Sequence, residues 1–60
     1  MTEETRRRLI ALLLDAEQAE AVECGYDDWN REERTEVYAG RQDNWIAQAA
    51  ARRGIACEEN

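Results

Sequence analysis

The sequence predicts an all-α protein: an antiparallel helical hairpin of two long helices that pairs with a second copy as a helical-bundle dimer. Three observations carry this. Ala, Glu, Leu and Arg fill 32 of the 60 positions and Pro is absent, a composition typical of long helices and coiled coils. The first glycine is Gly25, so nothing interrupts a helix before it, and Gly25-Tyr26-Asp27-Asp28 is the clearest turn. Leu, Ile and Val together number only nine and Phe is absent, too few large aliphatics to stabilise a chain this short unaided. The whole of 1–60 reads as a single domain.

The first helix spans about residues 3–24. Thr2 can cap its free amides, and Glu3 and Glu4 meet the positive end of the helix dipole. Glu3 with Arg7 and Glu4 with Arg8 are i,i+4 pairs in the favourable order, acid first. Gly25 closes the helix in a left-handed conformation. The turn follows at 25–28, where Asp27 or Asp28 caps the next helix and Asp27 pairs with Arg31. The second helix is read as continuous over about 28–53 and closed by Gly54, because Gly40 inside a helix costs only ~1 kcal/mol. The alternative breaks it at Gly40, with Asp43 or Asn44 capping a third helix from Trp45 to Arg53. The acidic tail 55–60 is expected to fray.

The apolar faces point to self-association. Leu9, Ile10, Leu12, Leu13 and Leu14 spread over roughly 200° of arc, about twice what one partner helix covers. The second helix has a large face (Tyr38, Trp45, Ile46, Ala49) and a small one (Trp29, Gly40, Ala47, Ala51). Two faces on each helix imply one contact inside the hairpin and one with another chain. The expected core is Leu9, Ile10, Leu13, Leu14, Val22, Trp29, Val37, Tyr38, Trp45 and Ile46. Of these, Leu9, Ile10, Leu13, Leu14, Tyr38, Trp45 and Ile46 are the expected oligomer interface.

Charge is concentrated. The net charge is −6, and nearly all of the excess lies between Asp15 and Glu36. A hairpin would have an acidic elbow, from Glu17 to Glu36, and a basic base, where Arg6, Arg7 and Arg8 meet Arg52 and Arg53. Charged faces are what a small helical protein needs for solubility. They can also steer a charged partner. The partner-binding candidates are Tyr26, Asp27, Asp28, Trp29, Glu32, Glu33 and Glu36 at the elbow, and Arg6, Arg7 and Arg8 at the base. Trp29 and Trp45 read first as packing anchors; an exposed one would be a natural interface centre.

Several function classes are disfavoured. His and Ser are absent, which removes the imidazole base, the His-based metal site and the serine nucleophile. Cys24 and Cys57 have no base nearby to raise their thiolate fraction. No Gly-rich phosphate loop is present, so no catalytic residue, cofactor or metal is assigned. Glu32, Glu33 and Glu36 without histidine are ordinary surface carboxylates rather than a chelate. The longest apolar run, Leu9 to Leu14, is far below the ~20 residues of a membrane span, and the acidic start does not read as a signal peptide. A cytoplasmic protein with reduced cysteines is expected. Continuous helices would hold Cys24 and Cys57 too far apart for a disulfide.

The segment Ile46 to Ile55 resembles the first helix and turn of a helix-turn-helix. The following Ala56-Cys57-Glu58-Glu59-Asn60 is too short and acidic for a recognition helix, and the net charge opposes DNA binding. In size and composition the chain is similar to the short acidic reading frames of bacteriophages and other mobile elements. The expected function is therefore a non-enzymatic interaction or regulatory protein that presents a charged helical surface to a host or partner protein. A nucleic-acid-mimicking inhibitor acting through the acidic elbow is the alternative, and a small DNA-associated protein the second.

Overall fold

A computed structural model of the chain describes residues 1–56. Among them are three helices, α1 (Glu3–Cys24), α2 (Arg31–Ala39) and α3 (Asp43–Arg52), and no strand.

α1 begins and ends as its sequence dictates. Extended Thr2 precedes it, and the Thr2 Oγ1 accepts the Thr5 backbone N–H at 3.1 Å. Gly25 is left-handed, with φ of 75° and ψ of 30°. The Tyr26 N–H then donates back to the Ala21 carbonyl at 2.9 Å, the closure that a positive-φ residue after a helix allows.

The elbow is longer than the expected four residues, and this changes everything downstream. It runs to Asn30, whose Oδ1 accepts the Glu33 N–H at 3.1 Å and so caps α2. Asp27 and Asp28 are not the caps. Asp27 lies outside the helix, where the i,i+4 geometry with Arg31 does not exist. Arg31 instead reaches α1, at 2.9 Å from Asp15 and 3.0 Å from Gln18.

α2 runs antiparallel to α1. Its start lies beside Asp15 and Gln18, and Arg34 meets Glu17. By Tyr38 and Ala39 the chain has already reached Arg6. A continuous second helix would carry its remaining residues, 40–53, about 20 Å past the end of α1 at 1.5 Å each. Ile46 and Trp45 would then have nothing to pack on. The chain breaks instead at Gly40, Arg41 and Gln42, and the single long helix over 28–53 is replaced by α2 and α3. Gly40 takes an ordinary right-handed φ of −86°, so its conformation does not force the break. Gln42 precedes α3 in an extended conformation and makes no side-chain cap, where Asp43 or Asn44 was the expected cap.

α3 returns parallel to α1. Its start is held by Asp43 to Arg6 at 2.7 Å, and past its end Arg53 reaches Glu20 at 2.8 Å. Left-handed Gly54 lets the Ile55 N–H donate to the Ala50 carbonyl at 2.9 Å, and Ile55 folds onto the core. The result is a two-layer arrangement in which α1 backs both α2 and α3.

The buried core is Leu9, Leu13, Leu14, Tyr38, Ile46 and Ala50, flanked by Ile10, Trp29, Ala49 and Ile55. Val22 is 78% exposed, and Val37 and Trp45 are exposed as well; all three were expected inside. α3 contributes alanines instead, and their small side chains let it approach α1 closely. Cys24 is exposed and free. Cys57 and, beyond Ala56, both the tail expected to fray and the segment weighed as a recognition helix lie outside the described residues.

Candidate interaction surface

The side chains expected to hold a second copy are mostly spent within the chain. Leu9, Leu13 and Ile46 are fully buried, and Leu14 and Tyr38 almost so. In this arrangement they have no surface to offer, because α3 folds back over them. Ile10 is half-buried and Trp45 is 39% exposed. The Trp45 ring stacks obliquely on Tyr38 with centroids 5.7 Å apart, and the Arg41 guanidinium lies 4.8 Å from its centre.

The acidic block divides in two. In its α1 half three acids are structural and Glu23 is not: Asp15 pairs with Arg31, Glu17 with Arg34, and Glu20 with Arg53, while Glu23 is exposed. Glu17 is the most enclosed of the three. It accepts from the Arg34 Nε at 3.0 Å and from the Tyr38 hydroxyl. Burial, then the hydrogen bond and negative charge of Glu17, push the Tyr38 phenol above its ordinary pKa. Arg34 also lies over the Tyr38 ring, 5.4 Å from its centroid.

The elbow half has no such partners. Asp27, Asp28, Glu32, Glu33 and Glu36 are all exposed, and among the described residues no cation pairs with any of them. Tyr26, 64% exposed, stands among them. A shallow recess of about 250 Å³ is lined by Tyr26, Asp28, Trp29, Asn30, Glu33 and Arg34. Trp29 packs on the core, and its indole N–H is buried without a hydrogen-bond partner among the described residues. The sequence reading does not single out Asn30 or Arg34, and it takes Glu17 only as part of the acidic elbow. Asn30 was findable, since Asn followed three residues later by Glu is a helix-start signature.

The expected basic base does not form. Because α3 runs parallel to α1, Arg53 lies at the elbow end against Glu20 rather than beside Arg6 to Arg8. Arg6 is structural: its Nη1 donates to Asp43, and its Nη2 donates to the carbonyls of Tyr38 at 3.2 Å, Ala39 at 3.1 Å and Arg41 at 2.5 Å. Arg7 pairs with Glu3 at 2.8 Å on the open surface, and Arg8 is exposed. Between α1 and α2 runs a groove of about 690 Å³, with Ile10, Ala11, Leu14, Thr35 and Ala39 in its lining and Arg7 and Arg31 among its charged groups.

Among the described residues no three His, Cys, Asp or Glu side chains are grouped to hold a metal ion, and no helix is long and apolar enough to cross a membrane. Set against protein-family models, curated proteins and solved structures, the chain matches none.

Proposed function

We propose that this chain is a small, non-enzymatic interaction protein of the cytoplasm, of the kind carried by phages and mobile elements, that binds a partner protein through its acidic elbow and associates with itself. One observation carries the reading: the dense run of unpaired acids on the elbow and α2. Glu3, Asp15, Glu17, Glu20 and Asp43 each hold an arginine. Among the described residues, Glu4 and Glu23 on α1 have none, nor have the five carboxylates of the elbow and α2, two of which, Asp28 and Glu33, share a recess with the exposed Tyr26. Dense uncompensated charge repels itself, so such a patch costs stability at rest and gains most when a basic surface covers it. Tyr26 adds the aromatic contact that interfaces favour.

The test is affinity capture from the native host with the natural chain and with E32Q/E33Q/E36Q, identified by mass spectrometry. These side chains are exposed, so the variant should keep its helicity by circular dichroism. A protein retained by the natural chain and lost with the variant supports the reading; equal capture by both removes it. The salt dependence of the captured complex then sorts the alternatives. A loss of affinity as steep as that of a nucleic-acid complex would favour phosphate mimicry over an ordinary protein contact.

A further inference from the structure

We infer that the outer face of α1 is the self-association surface, where a second copy docks antiparallel; this rests on the self-association part of the proposed function. α1 carries α2 and α3 on one side only. Away from them stand Arg8, Leu12, Ala19 and Val22, with Asp15 at the edge toward α2, at alternating steps of four and three residues, the spacing that keeps side chains on a seam between paired helices. All five are exposed, Leu12 by 40% and Val22 by 78%. Val22, Ala19 and Asp15 also line a shallow depression of about 430 Å³ along this face. The shape of the chain agrees. Its radius of gyration is 11.7 Å, against about 10 Å for a compact domain of this length, and its thinnest extent is 15 Å.

Charge selects the orientation. The amino-terminal part of α1 exposes Arg7, paired with Glu3, and Arg8 beside Glu4, with three arginines against two glutamates in residues 1–14, whereas the carboxyl-terminal part leads through Glu23 to Asp27 and Asp28. A parallel pair would set one acidic elbow against the other. An antiparallel pair sets each arginine end against the partner's acidic end. It also admits a closed two-fold register, with Leu12 opposite the partner's Val22 and Ala19 opposite the partner's Asp15. Arg8 then lies opposite the partner's Tyr26, one turn from the partner's Glu23. Asp15 in the seam, held at its edge by Arg31, keeps the contact weak. α1–α1 pairing leaves Glu32, Glu33 and Glu36 on α2 clear for a different partner.

Sedimentation equilibrium from micromolar to millimolar protein tests this with the natural chain, L12E/V22E, R8E, E23R and R8E/E23R, each first checked for native helicity. The expected result is a natural chain that dimerises, L12E/V22E monomeric throughout, and each single charge reversal weakened by ~10-fold with recovery in the double. A natural chain that dimerises with L12E/V22E unchanged overturns this surface but leaves self-association standing. Single reversals that the double fails to rescue overturn the antiparallel pairing. A natural chain monomeric throughout overturns self-association itself, and this surface with it.

Discussion

Replacing Arg6 should damage this fold more than replacing any other arginine. Its guanidinium ties the end of α2 to the start of α3, donating to three main-chain carbonyls and to Asp43. The side chain is only 20% exposed. Hydrogen bonds to a charged group contribute ~1.5–3 kcal/mol when their partner would otherwise be unsatisfied. Two of the three carbonyl bonds are exposed, so water replaces them in part, and the half-exposed Asp43 pair adds ~1 kcal/mol or less. A cation at a helix carboxyl end contributes ~0.3–1 kcal/mol more. The expected loss for Arg6→Ala is therefore ~2–3 kcal/mol, against a total of ~3–9 kcal/mol for sixty residues. Arg6→Lys keeps the charge but cannot span all four acceptors, so it should recover less than half of that. The control is Arg7→Ala, which removes one fully solvated i,i+4 pair and should cost ~0.5 kcal/mol or less. Urea unfolding followed by circular dichroism reads all three at dilute protein. Arg6→Ala matching Arg7→Ala within error would refute the keystone role and with it the explanation of the break.

Other expected outcomes follow from the same geometry. Leu13→Ala, at a fully buried site, should cost ~3 kcal/mol, while Val22→Ala should stay within ~0.5 kcal/mol in the monomer; similar unfolding midpoints would contradict the placement of the core. Gly25→Ala should cost ~1 kcal/mol because Gly25 has positive φ, whereas Gly40→Ala should be neutral or stabilising. A Cβ at Gly40 meets nothing nearer than 3.7 Å, and equal losses at the two glycines would show that the break is a glycine effect after all. The raised pKa of Tyr38 favours the neutral phenol in the folded state. Its contribution to stability should be complete below the ordinary tyrosine value of ~10 and be lost as pH rises through the higher folded value. Tyr38→Phe should flatten that alkaline decline, and an unchanged decline in the variant would assign it elsewhere.

The local signals of this chain were legible and its path was not. Thr2, Glu3, Glu4 and Gly25 bound α1 because a cap and a left-handed terminator act within a few residues of themselves. The second helix was misread through an error of length, not of propensity. Residues 31–52 are good helix formers on both sides of Gly40, and the local marks of a stop, Gly40 and a cap at Asp43 or Asn44, support the break only as the alternative. The stop comes from Arg6, more than thirty residues away, and from the point at which α1 ends beneath α2. That point depends on a six-residue elbow that brings α2 in beside Asp15 and Gln18, well back from the end of α1. Once the chain breaks, α3 returns parallel to α1, so the expected basic base does not form and Leu9, Leu13 and Ile46 are buried within the chain. The acidic elbow survived because Asp27 to Glu36 lie on the outer side of the elbow and α2, whichever way the chain continues.

The fold also changes what the acidic composition means. Arg6, Arg31, Arg34 and Arg53 each tie α1 to another part of the chain, three of them by meeting the acids Asp15, Glu17 and Glu20. These pairs hold a small core of aliphatics and alanines in register, and they use up half of the arginines. A protein under pressure only for solubility could have spread the remaining acids over the outer faces of α1 and α3, where Leu12, Val22, Asn44 and Gln48 stand instead. Apart from Glu4 and Glu23, the unpaired acids stand on the elbow and α2, the segment that carries the exposed Tyr26, while the outer face of α1 keeps exposed Leu12 and Val22. The two proposed interfaces, one for a basic partner and one for a second copy, thus lie on separate outer surfaces of different chemistry.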